Sequence, residues 1–145
     1  MNIKESDIKF GLERETELLP VIQKHLNEPT LKKIEYKYSL YDFVNSDHSV
    51  YVELKARREN YECFYAAIVG SNKVMQALKY YKENKEVYFF FAYPNGLFYW
   101  KFNPDELSFF NFNDFHRKDT NERGNYLFIP IGSLIQVFDE EEQKE

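Results

Sequence analysis

The sequence predicts an α/β (α+β) layer fold: one mixed β-sheet with helices packed on it. Three observations predict it. The patterns run helix, hairpin, helix, hairpin and one more strand. EVYFFFAY (residues 86–93) is an apolar run suited to a strand buried on both faces, hence central in a sheet. Aromatic residues make up 19% of the chain, with 14 Phe and 12 Tyr, and large stiff rings favour strands. The 145 residues leave room for one ordinary domain, read here as 1–138.

The first helix is expected from about Ile8 to Leu26, capped by Ser6 or Asp7, with Pro20 kinking or splitting it. Asn27, Glu28, Pro29 and Thr30 break the pattern. IEYKYSLYDFV (34–44) is rich in β-branched and aromatic residues and reads as a strand. A polar turn at 45–49 joins it to VYVELKA (50–56). There Val50, Val52 and Leu54 alternate with Tyr51, Glu53 and Lys55, so the two segments form a hairpin. RRENYECFYAA (57–67) carries no assignable pattern. Ser71 is placed to cap a second helix over about 72–84, with Val74, Ala77, Leu78 and Tyr81 as its apolar stripe. After EVYFFFAY, Pro94, Asn95 and Gly96 turn the chain back into LFYWKF. Residues 104–125 read as loop, YLFIPI (126–131) as a last strand, and 132–138 as a short final helix.

Composition narrows the function. The net charge is −5, but the tail after Phe138 holds five acids and one lysine, leaving −1 for residues 1–137. That tail, 139–145, is expected to be disordered. Residues 53–101 carry +3, so a local basic face is compatible with an acidic chain. One cysteine, Cys63, excludes an internal disulfide framework and a multi-cysteine zinc site. The absence of a long apolar run or an apolar leader predicts no membrane partner and an intracellular location, cytoplasm or nucleus. Host and viral or phage origin are both compatible with this. No phosphate-binding glycine loop or nucleophile elbow is present.

Three sets of residues sit badly with pure packing. Glu15 falls between Leu12 and Leu19 on the helix face expected to meet the sheet; either it needs a cation or it sits at the rim. Glu53 and Lys55 share one strand face about 7 Å apart. They are either an ordinary solvent-facing pair or a carboxylate and an ammonium placed for phosphodiester chemistry. Asp42 interrupts a strand-like run, either as a turn-proximal residue or as a second carboxylate. The hairpin puts it near the level of Glu53, where both could reach one hard divalent cation.

Together, in the order GLERE…YDF…VELKAR, these residues make a pattern that resembles the PD-(D/E)xK nuclease superfamily, the restriction-endonuclease-like and Holliday-junction-resolvase-like fold. The family's proline is replaced by Tyr41. The resemblance spans roughly residues 8–102. It implies a mixed central sheet flanked by helices and Mg²⁺ (or Mn²⁺) held by Asp42, Glu53, the carbonyl of Leu54 and Glu15. It also implies that Lys55 positions water and steadies charge on phosphate. The resemblance further offers Lys73 or Gln76 on the second helix as a polar contributor, although a solvated lysine is the slightly favoured reading of Lys73. Arg57 and Arg58 would lie at the mouth of such a site, and His116, Arg117, Lys118 and Arg123 form a basic cluster. Phosphate contact and an ordinary surface role are both open for these residues.

The leading expectation is therefore a metal-dependent nuclease cutting DNA, with RNA not separated from it. The second is a non-catalytic nucleic-acid-binding or assembly module on the same fold. The third is an interaction protein that uses its Phe-rich C-terminal segment. Cutting both strands of a duplex with so small a domain implies a homodimer, with 109–115 and YLFIPI as interface candidates.

Overall fold

The computed structural model describes residues 2–117 and 122–138, with backbone alone at 115–117 and 122–123. The acidic tail and Lys118 lie outside the described residues. The elements in order are α1 (Ile3–Leu26), β1 (Lys32–Lys33), β2 (Phe43–Val44), β3 (Val50–Ala56), β4 (Ala66–Gly70), α2 (Ser71–Lys82), β5 (Glu86–Tyr93), β6 (Gly96–Lys101), β7 (Asn111–Arg117), β8 (Glu122–Pro130) and β9 (Ile135–Val137). The architecture is mixed α+β, as the sequence predicts.

The larger sheet has the order β1-β2-β3-β5-β6-β9. Its β3 and β5 run parallel, from Val50 beside Glu86 to Ala56 beside Ala92, and its other pairs are antiparallel. The apolar strand β5 is thus interior. Strand alternation splits the core in two. Val50, Val52, Leu54, Phe43 and Phe90 pack with Ile22, Leu18 and Leu19 of α1. On the opposite face Tyr51, Val87, Phe89 and Phe91 pack with Val74 and Ala77 of α2 and with Ala67, Val69, Leu127 and Ile129. Those last four come from a second, antiparallel sheet, β4-β8-β7, that the sequence reading did not anticipate.

The differences have local causes. α1 starts at Ile3 because the Asn2 side chain accepts the Glu5 N–H at 2.8 Å, several residues before the expected cap. Pro20 does not split it. Packing of Leu18, Leu19, Ile22 and Leu26 offsets the lost hydrogen bond, and Asn27 ends the helix in the left-handed region at φ 54°. Of the strand expected over 34–44, only Phe43 and Val44 pair; Tyr36 and Tyr38 are exposed on a turn closed by Ser39 N–H to the Tyr36 carbonyl. The unassigned 57–67 stretch leads into β4, and the presumed loop 104–125 contains β7. The final helix is instead strand β9, paired with β6 so that Val137 is buried beside Leu97. α2 is entered from Gly70 with no side-chain cap, and it packs Tyr80 rather than Tyr81, stacked on Tyr51 at 4.2 Å.

Candidate active site

The site begins where the β2–β3 ladder ends. Phe43 pairs with Val52, but the Asp42 N–H reaches the same Val52 carbonyl at 2.9 Å, so the chain bends out of register at Asp42. The Asp42 carboxylate then takes the place of the missing ladder acceptor and receives the Leu54 N–H at 2.7 Å. A strand residue points its N–H and C=O to the same edge. The Leu54 carbonyl therefore also faces the gap past the end of β2. This is why an aspartate sits at the mouth of a strand: its side chain continues a ladder that its backbone has left.

Glu53, one step along β3, points to the α2 side of the sheet and is only 4% exposed. Such burial of a carboxylate requires cations close by. Lys73, in the first turn of α2, donates to Glu53 Oε1, and the Lys55 ammonium lies 3.8 Å from the same oxygen. Glu53 Oε2 is buried with no hydrogen-bond partner. Lys73, expected to be solvated, is 20% exposed and committed to the site. Its helical turn is fixed by the Tyr41 hydroxyl, which donates to the Lys73 carbonyl at 2.7 Å.

Glu15 arrives from α1. Leu12 is 47% exposed, so the apolar stripe does not continue to that end of the helix, and Glu15 stands at its rim rather than mid-face. There it is ion-paired with Lys33 of β1, and its charge lies near enough to Asp42 to help raise that carboxyl. Glu13 is exposed, and Glu17 pairs with Arg14 at 2.8 Å.

Crowding of like charge and desolvation move the titrations. Burial, and next the Glu53 charge, push the Asp42 carboxyl up to about 7, against the pull of the Leu54 N–H. Burial brings the Lys55 ammonium down to about 8, opposed by Glu53 and assisted by Lys73 and Arg57. A carboxylic acid and an amine poised near neutrality at one place are unusual and mark sites of proton and charge chemistry.

The donor set fits a hard divalent cation. Among the described residues no three His, Cys, Asp or Glu side chains make a ready cage. Mg²⁺, however, is commonly held by one or two carboxylates with water and phosphate completing its shell. The orphaned Glu53 Oε2, the Asp42 carboxyl and the Leu54 carbonyl supply such a partial set.

Beside it lies a cleft of about 300 Å³ lined by Lys55, Lys73, Ser71, Asn72, Asn125 and Tyr126. Gly70 lets β4 run straight into α2 here; a Cβ would come within 2.7 Å of Asn72 Oδ1. Arg57 is near enough to bear on Lys55. Arg58 is engaged elsewhere, reaching Ser6 and Asp7 at 3.3 Å and lying over the Phe10 ring, so it ties α1 to the end of β3. Gln76 lies near enough to Tyr80 to bear on its hydroxyl and is not among the residues lining the cleft. The side chains of Arg117, Arg123 and His116 lie outside the described residues. Sequence reasoning missed Lys33, the Tyr41 hydroxyl and the second wall of the cleft at Asn125 and Tyr126. Only the aromatic run around Tyr41 offered any signal of these, and it pointed to packing.

No family model matches the chain, and none of the curated proteins does. Among solved structures, the chain is similar to Hjc of Archaeoglobus fulgidus, a Holliday junction resolvase from an archaeal hyperthermophile. The two share 15% identity and a TM-score of 0.42, over 80% of this chain and 95% of that one.

Proposed function

We propose that this protein is a metal-dependent nuclease that hydrolyses phosphodiester bonds in DNA, using Mg²⁺ or Mn²⁺. The observation that carries the reading is the meeting of Asp42, Glu53 and Lys55 at the open end of the β2–β3 ladder, with one Glu53 oxygen buried and unpartnered. Asp42, Glu53 and the Leu54 carbonyl would hold the cation, and Glu15 would act on it through Asp42. When bound, the cation supplies Lewis acidity and a lowered pKa for an attacking water.

The chain's own residues do the rest. Lys55, in the cleft wall, orients the water and meets the negative charge that builds on the phosphate oxygens. Its lowered pKa leaves the ammonium close to its neutral form at mildly alkaline pH, so it can also take or return a proton. The cleft lined by Lys55, Lys73, Ser71 and Asn72 offers donors for a phosphate. Arg57 adds positive charge on the same side. No helix among the described residues is long and apolar enough to cross a membrane.

The test is nicking of supercoiled DNA, with branched duplex, single-stranded DNA and RNA alongside, in Mg²⁺ or Mn²⁺ and in a chelator. Metal-dependent cutting by the wild type and its loss in Lys55→Ala support the reading. A wild type that binds Mn²⁺ and nucleic acid but cuts nothing would move the protein to the binding-module reading. Cutting that persists in Lys55→Ala would contradict the assigned role of that residue.

A further inference from the structure

We propose that Lys73 and a divalent cation are mutually exclusive partners of Glu53, so that cation binding releases the Lys73 ammonium into the neighbouring cleft. The inference rests on the nuclease reading and adds to it a device that couples metal to substrate. Three observations carry it. Lys73 donates directly to Glu53 Oε1, while Lys55 stands 3.8 Å from the same oxygen. One carboxylate thus already faces two ammonium groups. The free oxygen, Oε2, is buried, so a divalent ion placed there would be a third positive centre around the carboxylate. Like charges at that range in a poorly hydrated site cannot all stay.

Which group leaves is decided by where each is attached. Lys55 stands inside β3, held in the sheet by its parallel pairing with Phe91 of β5. Lys73 stands on the first turn of α2, at the rim of the open cleft, where Ser71, Asn72 and Asn125 supply polar surroundings. The Tyr41 hydroxyl bond to the Lys73 carbonyl keeps the backbone in place, so release needs only a change of side-chain rotamer. Once in the cleft, the ammonium is available to a phosphate oxygen. Cation and phosphate then favour each other's binding, because each needs Lys73 off Glu53.

The test pairs two readouts on the full chain, neither of which is cleavage. Mn²⁺ titration by calorimetry compares the wild type with Lys73→Met, which keeps the unbranched stem up to the ε position and removes the ammonium. Mass spectrometry follows acylation of Lys73 in the wild type with and without Mn²⁺, with Lys101, paired with Glu86 away from the site, as internal reference. The expected results are Mn²⁺ binding at least about tenfold tighter in Lys73→Met, the size of effect a displaced neighbouring charge gives. Lys73 acylation should rise severalfold on saturation while that of Lys101 stays unchanged. Equal or weaker Mn²⁺ binding in Lys73→Met overturns the exclusion and leaves the metal site standing. Should Lys73→Met fail to fold, unchanged acylation of wild-type Lys73 at saturating Mn²⁺ overturns it instead. Absence of Mn²⁺ binding in both proteins overturns the nuclease reading and this inference together.

Discussion

The two faces of β3 carry opposite chemistry at similar depth. Val50, Val52 and Leu54 are buried against α1 in a wholly apolar cluster. Tyr51, Glu53 and Lys55, interleaved with them, face α2, and there Glu53 is as buried as its apolar neighbours. The first face is held by the removal of apolar surface from water, a favourable term for every group in it. The second holds a buried carboxylate tolerated only through Lys73 and Lys55, an arrangement rarely worth net stability. On β3, then, the α1 face is apolar throughout, whereas the α2 face sets a buried carboxylate into the larger apolar core, an expense that the proposed chemistry would account for. Substitutions on the two faces should separate in the same way.

The largest effect is expected on the charged face. Lys55→Ala and Glu53→Gln should each slow nicking by about 10³-fold or more, roughly 4 kcal/mol of barrier, the scale of a lost group that stabilises transition-state charge. Calorimetry should then divide them: Lys55→Ala still binds Mn²⁺, and Glu53→Gln does not. Equal loss of Mn²⁺ binding in both would erase the distinction drawn between ligand and water-positioning group.

On the apolar face, Phe90→Ala should cost about 3–5 kcal/mol in denaturant unfolding, since Phe90 is fully buried beside Tyr99. Activity per folded molecule should hardly change. A fall in nicking comparable to that of Lys55→Ala, with the fold retained, would mean that the two faces are not separable.

A smaller effect concerns pH. The folded-state pKa of Asp42, about 7, is raised above its ordinary 3.8. Between those values the folded protein binds more protons than the unfolded chain, so this group's contribution to stability falls as pH rises from about 4 to 7. For Lys55 the folded value, about 8, lies below the ordinary 10.5, and its contribution recovers as pH rises between them. Asp42→Asn should flatten the lower window and be more stable than the wild type near pH 7.5 without metal. A melting-temperature profile that keeps the same slope from pH 4 to 7 in Asp42→Asn would contradict the burial of that carboxyl.

The smallest change is expected at Lys101, whose pair with Glu86 at 2.7 Å is about half exposed on both sides. Lys101→Ala should alter stability by less than about 1 kcal/mol, because solvent and salt screen such pairs. A larger loss in thermal unfolding would blur the contrast between an exposed ion pair and the buried one at Glu53.

The same contrast explains what was legible in the sequence. Period-two alternation in VYVELKA and the apolar run EVYFFFAY are local signals, and β3 and β5 fall where they predict. The convergence of Asp42 on Leu54 follows from a hairpin and was within reach of sequence reasoning. Glu15 was picked out for the wrong geometric reason, because Leu12 turns out to be exposed. The second sheet was not legible. Ala66–Gly70 is short and Gly-terminated, and its partner strand β8 lies more than fifty residues away. Lys73 was misjudged for the same cause: nothing within a helix turn says that a carboxylate twenty residues earlier lies beneath it.

In the proposed site Asp42 and Glu53 share one divalent cation at the open end of the β2–β3 ladder. The most direct measurement is a crystal soaked in Mn²⁺, with data collected to give the anomalous signal of the metal. The expected result is a peak in ligand range of an Asp42 carboxylate oxygen and of Glu53 Oε2, on the edge faced by the Leu54 carbonyl. A saturating soak with no peak there, or a peak only at the exposed acids of α1, would contradict it.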